Sequence, residues 1–112
     1  MENKLRGNPS HEQEETCKRY GVPPHAPEER VAVAFNTLSE SPIYGTRIRG
    51  AKDGGVSWFF YCGHHSEADD FYQALHAHHL IEDLPEVVKY LYLPEGANFI
   101  IDRNGYEDVW FD

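Results

Sequence analysis

Cysteine, long apolar runs and cations are all scarce in this chain, and each scarcity excludes something. Cys17 and Cys62 are the only cysteines, far apart and without CxxC spacing. A disulfide framework is not implied, although a single bridge between them stays open. Cys62 closes an apolar run and reads as a small buried hydrophobe rather than a nucleophile. No run approaches ~18 apolar residues, the length a membrane-spanning helix needs. Met1–Gly7 lacks the apolar stretch of a secretory signal, so a cytoplasmic protein with reduced thiols is expected. Ten Lys and Arg stand against 19 Asp and Glu, a net charge of −9. A general nucleic-acid binder needs cations for phosphates, so that class is excluded. Catalytic signatures are missing too: GxSxG, a Gly-rich phosphate loop, HExxH and a DxDxDG loop are all absent.

What is present fits one globular unit. The chain has 112 residues, 13% of them aromatic, enough for a single core and too rich for a disordered chain. The charge is unevenly placed. Residues 1–66 carry eight cations and eight acids, whereas 67–112 carry eleven acids against Lys89 and Arg103. The last 46 residues therefore hold the whole imbalance, which bears on partners and solubility rather than on fold.

Along the chain, residues 1–29 read as a loosely attached N-terminal arm. Ser10-His11-Glu12-Gln13 is a capping box that opens a short polar helix to about Tyr20, and Gly21, Pro23, Pro24 and Pro27 break it. A single domain is expected over 30–112. Val31, Val33 and Phe35 alternate with alanines as a first strand. Tyr44, Thr46 and Ile48 alternate with Gly45, Arg47 and Arg49 as a second, with the arginines turned to solvent. Lys52-Asp53-Gly54-Gly55 offers a hairpin turn into Val56–Cys62, a third strand apolar on nearly both faces and therefore central.

The period then changes. Ser66 and Asp69 are a cap-like pair before Phe71, Ala74, Leu75 and His78 at helical spacing. Asp83-Leu84-Pro85-Glu86 caps a second helix with the stripe Leu84, Val87, Val88 and Leu91. Leu93-Pro94-Glu95-Gly96 stops it. Phe99–Ile101 and Tyr106–Phe111 form a final hairpin around Asn104-Gly105. A two-residue turn would set Asp102 against Glu107, like charges directly opposed, so a three- or four-residue loop is an alternative register. The expected architecture is α+β: an antiparallel sheet of about five strands in the order βββ-αα-ββ, with two helices packed on it.

Two groups of residues bear on function. Five of the seven histidines lie between 64 and 79. His64, His65, His76 and His79 are the candidate metal ligands, for a metal-binding protein or a metal-dependent enzyme. Their spacing is poor, because only His76 and His79 could share a helix face. The second group is acidic and aromatic. Glu107-Asp108-Val109-Trp110-Phe111-Asp112 alternates acids with large apolar side chains. Aromatic contact area with acidic steering is interface chemistry; a core Trp110 with acids facing water is the plainer alternative. The candidate partner-binding residues are Asp69, Asp70, Glu82, Glu107, Asp108 and Trp110. Part of this acidity has a local cause, since acids near helix starts complement the helix dipole.

Several segments together resemble a known family. They are Tyr44–Arg49, Gly54-Gly55-Val56-Ser57-Trp58 leading to Tyr61-Cys62-Gly63, Asp69-Asp70-Phe71, Tyr90-Leu91-Tyr92-Leu93-Pro94-Glu95-Gly96, Phe99-Ile100-Ile101-Asp102 and Glu107–Asp112. The pattern, over about 31–112, is similar to the immunity protein thirty-three family of bacterial polymorphic toxin systems. The resemblance implies a non-enzymatic cytoplasmic protein without a cofactor. It would bind and neutralise a toxin, often one encoded beside it. It carries over no catalytic residue. The charge map adds that the toxin is basic. The other open class is a module for a small ligand or a basic peptide.

Overall fold

The computed structural model describes residues 8–51 and 55–112. The expected turn at Lys52–Gly55 therefore lies outside the described residues except for Gly55, as does Met1–Gly7. The helix α1 (His11–Arg19) comes first. The strands are β1 (Arg30–Val33), β2 (Ile43–Arg47), β3 (Val56–Cys62), β4 (Gln73–His76), β5 (Ala97–Ile101) and β6 (Glu107–Phe111). Between β4 and β5 run the short helix α2 (Leu80–Asp83) and a 3-10 helix, Pro85–Tyr90. The fold is α+β, as expected, with six strands rather than five, in the order β4-β1-β3-β2-β5-β6. All neighbours are antiparallel except β1 and β3, which run parallel. β3 is interior, which its two apolar faces require.

The extra strand replaces the first expected helix. Residues 73–76 pair with β1, with Val31 opposite Leu75 and Val33 opposite Gln73. The preceding Phe71 and Tyr72 lie against Tyr61 and Phe59. Ser66 closes only a local turn, its Oγ accepting from Ala68 N–H at 3.1 Å. Helical spacing was there in the sequence, but tertiary pairing overrides it. The second helix is also altered. Leu84, not Asp83, precedes the 3-10 helix, and no side chain caps it. A 3-10 helix has three residues per turn, so Leu84, Val87 and Tyr90 all point inward and are buried.

Among the described residues of the N-terminal segment, 13–26 dock on the rest of the chain. The expected capping box forms: Gln13 N–H donates to Ser10 Oγ at 3.1 Å and Ser10 N–H to Gln13 Oε1 at 2.8 Å. The helix then docks through small and polar groups. Cys17 is buried beside Tyr92 O, and Gln13 Nε2 donates to Val88 O at 2.9 Å. His25 N–H donates to Tyr92 O at 2.8 Å. Both Cys17 and Cys62 are free and buried.

β2 shows the largest departure from expectation. Its inward residues are Ile43, Gly45 and Arg47, while Tyr44 and Thr46 face outward. Arg47 is only 3% exposed. Its Nη1 donates to His25 O at 2.7 Å, Leu93 O at 2.8 Å and Leu91 O at 3.4 Å, and its Nη2 to Ala26 O at 2.8 Å. One guanidinium thus ties the segment after α1 and the end of the 3-10 helix to the sheet. Burial pushes its pKa down from the ordinary value, against the pull of Glu95 and Glu28. Gly45 faces inward with Ile43 and Arg47, and the Phe99 ring fills the space that a Cβ there would need.

Two outcomes are expected. Arg47→Lys loses the planar fork that reaches two chain segments, and should lower unfolding stability by at least ~3 kcal/mol in urea titration. Gly45→Ala forces Phe99 off its site and should cost about 1–3 kcal/mol in the same assay. Wild-type stability in either variant would show that its contact is dispensable.

Candidate functional site

The helices cover one face of the sheet; the other, here called the open face, is half-buried, with His65, Phe71 and Tyr72 packed across part of it. The register identifies what lies there. One line crosses the strands through Tyr61, Tyr44, Ile100 and Asp108, and a second through Ala74, Ala32, Phe59, Thr46, Asn98 and Trp110. A sheet with one solvated side ordinarily alternates hydrophobic-in with polar-out. This open side is aromatic instead. Tyr44 and Tyr61 stack at 4.6 Å between centroids, and Phe59 meets Tyr72 edge-on at 5.1 Å. Phe71 and His65 extend the cluster, 5.9 and 5.3 Å from Tyr61. Trp110 is 41% exposed and so is not a core residue. Its partner across β5 is Asn98, because the hairpin register pairs Phe99 with Val109.

That register comes from the longer loop. Asp102 N–H donates to Tyr106 O at 3.1 Å, closing a three-residue connection, Arg103–Gly105. Gly105 has φ of 104°, which suits glycine. The Asp102 carboxylate accepts from Asn104 and Tyr106 N–H at 2.8 and 2.9 Å. It therefore completes the turn and does not oppose Glu107.

The candidate acids separate into four places. Asp108 shares the open face with Trp110, at the β6 edge. Asp69 and Asp70 are exposed in the connection to β4, directly before Phe71 and Tyr72. Glu82 is exposed on α2, in the helical layer, away from both.

Glu107 has a different surrounding altogether. It points to the helical side, with 21% of its side chain exposed, and pairs with Arg19 Nη2 at 2.8 Å. It also accepts from the hydroxyls of Tyr20 and, at 2.5 Å, Tyr90. It therefore fastens α1 and the 3-10 helix to β6. Burial raises its pKa, but the two tyrosine hydrogen bonds and the charges of Arg19 and Lys89 outweigh this, leaving it below the ordinary carboxylate value. Tyr20 is pushed up to about 12, first by burial and then by Glu107.

The histidines do not converge. His65 packs in the aromatic cluster, while His76, His78 and His79 lie at the β4 end, with His76 and His79 centroids 6.5 Å apart. Among the described residues, no group of three or more His, Cys, Asp or Glu is placed to hold a metal ion. A groove of about 420 Å³ runs between α1, the 3-10 helix and the β5–β6 hairpin. Its charged walls bind the protein itself: Arg103 pairs with Glu86 at 2.9 Å and donates to Leu38 O and Glu40 O. No helix among the described residues is long and apolar enough to cross a membrane.

With this geometry in view, a family model described as the Imm33-like domain matches residues 12–112. The chain belongs to that family. The match begins inside α1, so the docked N-terminal helix is part of the family's domain. No curated protein and no solved structure matches the chain.

Replacing Glu107 tests its fastening role. Glu107→Gln should destabilise the fold by about 1–3 kcal/mol at neutral pH. A lowered carboxylate pKa contributes stability above the unfolded value of 4.5 and loses it as pH falls through the folded value. The gap between wild type and variant should therefore close below that point in a pH series of thermal melts. A gap unchanged to acid pH would show that ionised Glu107 is not the fastener.

Proposed function

We propose that this Imm33-like protein is a non-catalytic immunity-type protein that binds and neutralises a cognate toxin through the open face of its sheet. The observation that carries the proposal is the aromatic composition of that face. Tyr44, Phe59, Tyr61, Phe71, Tyr72 and Trp110 all lie on the side the helices leave uncovered. Tyrosine and tryptophan are the favoured anchors of protein interfaces, where their large area is desolvated at small entropic cost. Asp69, Asp70 and Asp108 stand at the rims, where charge directs encounter rather than fixing affinity. Acid at the rims and a net charge of −9 favour a basic partner. Family membership supports a protein as that partner. The proposal takes the encounter to be cytoplasmic.

Glu107 is left out of the binding set, because its carboxylate is occupied by Arg19, Tyr20 and Tyr90. Glu82 is left out because it lies on the helical side.

The test is co-expression with candidate toxin domains from the genes that neighbour this one in its native genome, one of which should be neutralised. Wild type should restore growth. Trp110→Ala should weaken toxin binding by about 2 kcal/mol while changing thermal stability by less than ~1 kcal/mol, as an exposed residue should. Joint reversal of Asp69, Asp70 and Asp108 to Lys should slow association and flatten its salt dependence, measured by stopped flow. Failure of the wild type to rescue, or full affinity in both variants, would overturn the proposal.

A further inference from the structure

The open face ends at β6, and the outer edge of that strand has chemistry of its own. Hydrogen bonds at both ends of the β5–β6 ladder fix which backbone groups point where. Asp112 N–H donates to Gly96 O at 3.0 Å and Asp102 N–H to Tyr106 O at 3.1 Å. Even-numbered residues of β6 therefore turn their backbone groups toward β5. In an antiparallel ladder the alternate residues turn theirs away. The N–H and C=O groups of Glu107, Val109 and Phe111 consequently form an outward row, with no backbone partner among the described residues.

Such a row is a template for another strand. Three blunting devices are missing here: β6 contains no proline, no lysine and no bulge, and its pairing with β5 is continuous from Ala97–Phe111 to Ile101–Glu107. Its far end is also held. The Asp112 carboxylate accepts from Asn98 Nδ2 at 3.1 Å, and Arg49 donates to Asp112 O. The opposite edge, β4, is only four residues long.

We infer that the β6 edge takes up an extended basic segment of the partner, which adds a seventh strand to the sheet. The inference rests on the reading of the neighbouring face as the partner-binding surface. The side chains beside the edge define the segment. On the open side the new strand meets Asp108, which makes no ion pair among the described residues, and Trp110. A cation is favoured at both, by charge at the first and over the ring at the second. On the helical side it meets Val109 and Phe111, the latter 39% exposed, which favour apolar side chains. The matching pattern alternates Arg or Lys with β-branched residues. A second copy of this chain is a poor occupant, since each copy carries −9.

A synthetic peptide of alternating arginine and valine tests the edge directly on the whole wild-type protein. Binding should slow amide exchange at Glu107, Val109 and Phe111 at least about tenfold. Methylating every second peptide amide, in each of the two phases, should weaken binding about tenfold in one phase only. Equal binding in both phases, or no slowing at those amides, overturns the inference. A glutamate–valine peptide that binds as tightly would overturn the charge assignment. Growth rescue separates this inference from the broader proposal. Phe111→Pro removes one outward N–H and should abolish rescue, whereas Phe111→Ala, which keeps that N–H and loses only the side-chain contact, should weaken rescue without abolishing it. Rescue lost in Trp110→Ala but kept in Phe111→Pro would overturn strand addition and leave the face proposal standing. Rescue kept in both would overturn both.

Discussion

A single buried cation holds the two layers of this fold in register. Arg47 leaves β2 toward the helical side and donates to the carbonyls of His25, Ala26, Leu91 and Leu93. Those carbonyls belong to two irregular segments, neither of which can satisfy them within a ladder or a helix. A buried carbonyl without a donor costs about 1–3 kcal/mol, so the guanidinium offsets several such penalties together. Trp58 Nε1 adds a bond to Leu91 O at 3.1 Å, from the neighbouring strand. With these segments fixed, the 3-10 helix lies where Leu84, Val87 and Tyr90 can fill the core. α1 then docks onto the same segment through Gln13 and Cys17.

This constraint also explains what could be seen in the sequence and what could not. Local chemistry was legible. The Ser10–Gln13 capping box, the interior position of β3, the buried Cys62 and the hairpin at Asn104-Gly105 all depend on neighbours a few residues away. The inverted face of β2 was not. Alternation alone gives two equivalent assignments, and polarity favoured an outward Arg47. Only the distant carbonyls of residues 25–26 and 91–93 make the inward choice favourable. The same holds for residues 66–79, where apolar residues at helical spacing become an irregular segment and a strand because β1 has an open edge to pair with. The docking of α1 escaped notice because it buries Gln13, Thr16 and Cys17 rather than an apolar stripe.

The candidate site was half legible, for a related reason. Composition picked out Asp108 and Trp110, which the register places together on the open face. It could not divide Glu107 from Asp108, although adjacent residues of a strand always face opposite sides. One carboxylate became a fastener for Arg19, Tyr20 and Tyr90; its neighbour stayed at the surface. The aromatic face itself was hidden. Tyr44, Phe59, Tyr61, Phe71 and Tyr72 come from three separate stretches, and each looked like ordinary core when taken alone.

A half-buried aromatic face beside an unpaired strand edge is a hazard for any protein, because it invites association with copies of itself. Here the acids at the rims bear on that hazard and on partner choice together. Asp69 and Asp70 are exposed just before Phe71 and Tyr72, and Asp108 lies on edge strand β6, within a C-terminal stretch that holds eleven acids against two cations. Like charge opposes pairing between two copies, whereas a basic partner is attracted by the same field. Helix starts account for part of this acidity, since Glu82 and Asp83 lie in the first turn of α2 and Glu86 in that of the 3-10 helix, although neither Ser66 nor Asp83 is an N-cap. On the proposed reading, the negative charge would favour cationic, apolar-alternating segments at a surface whose aromatic content alone gives little selectivity.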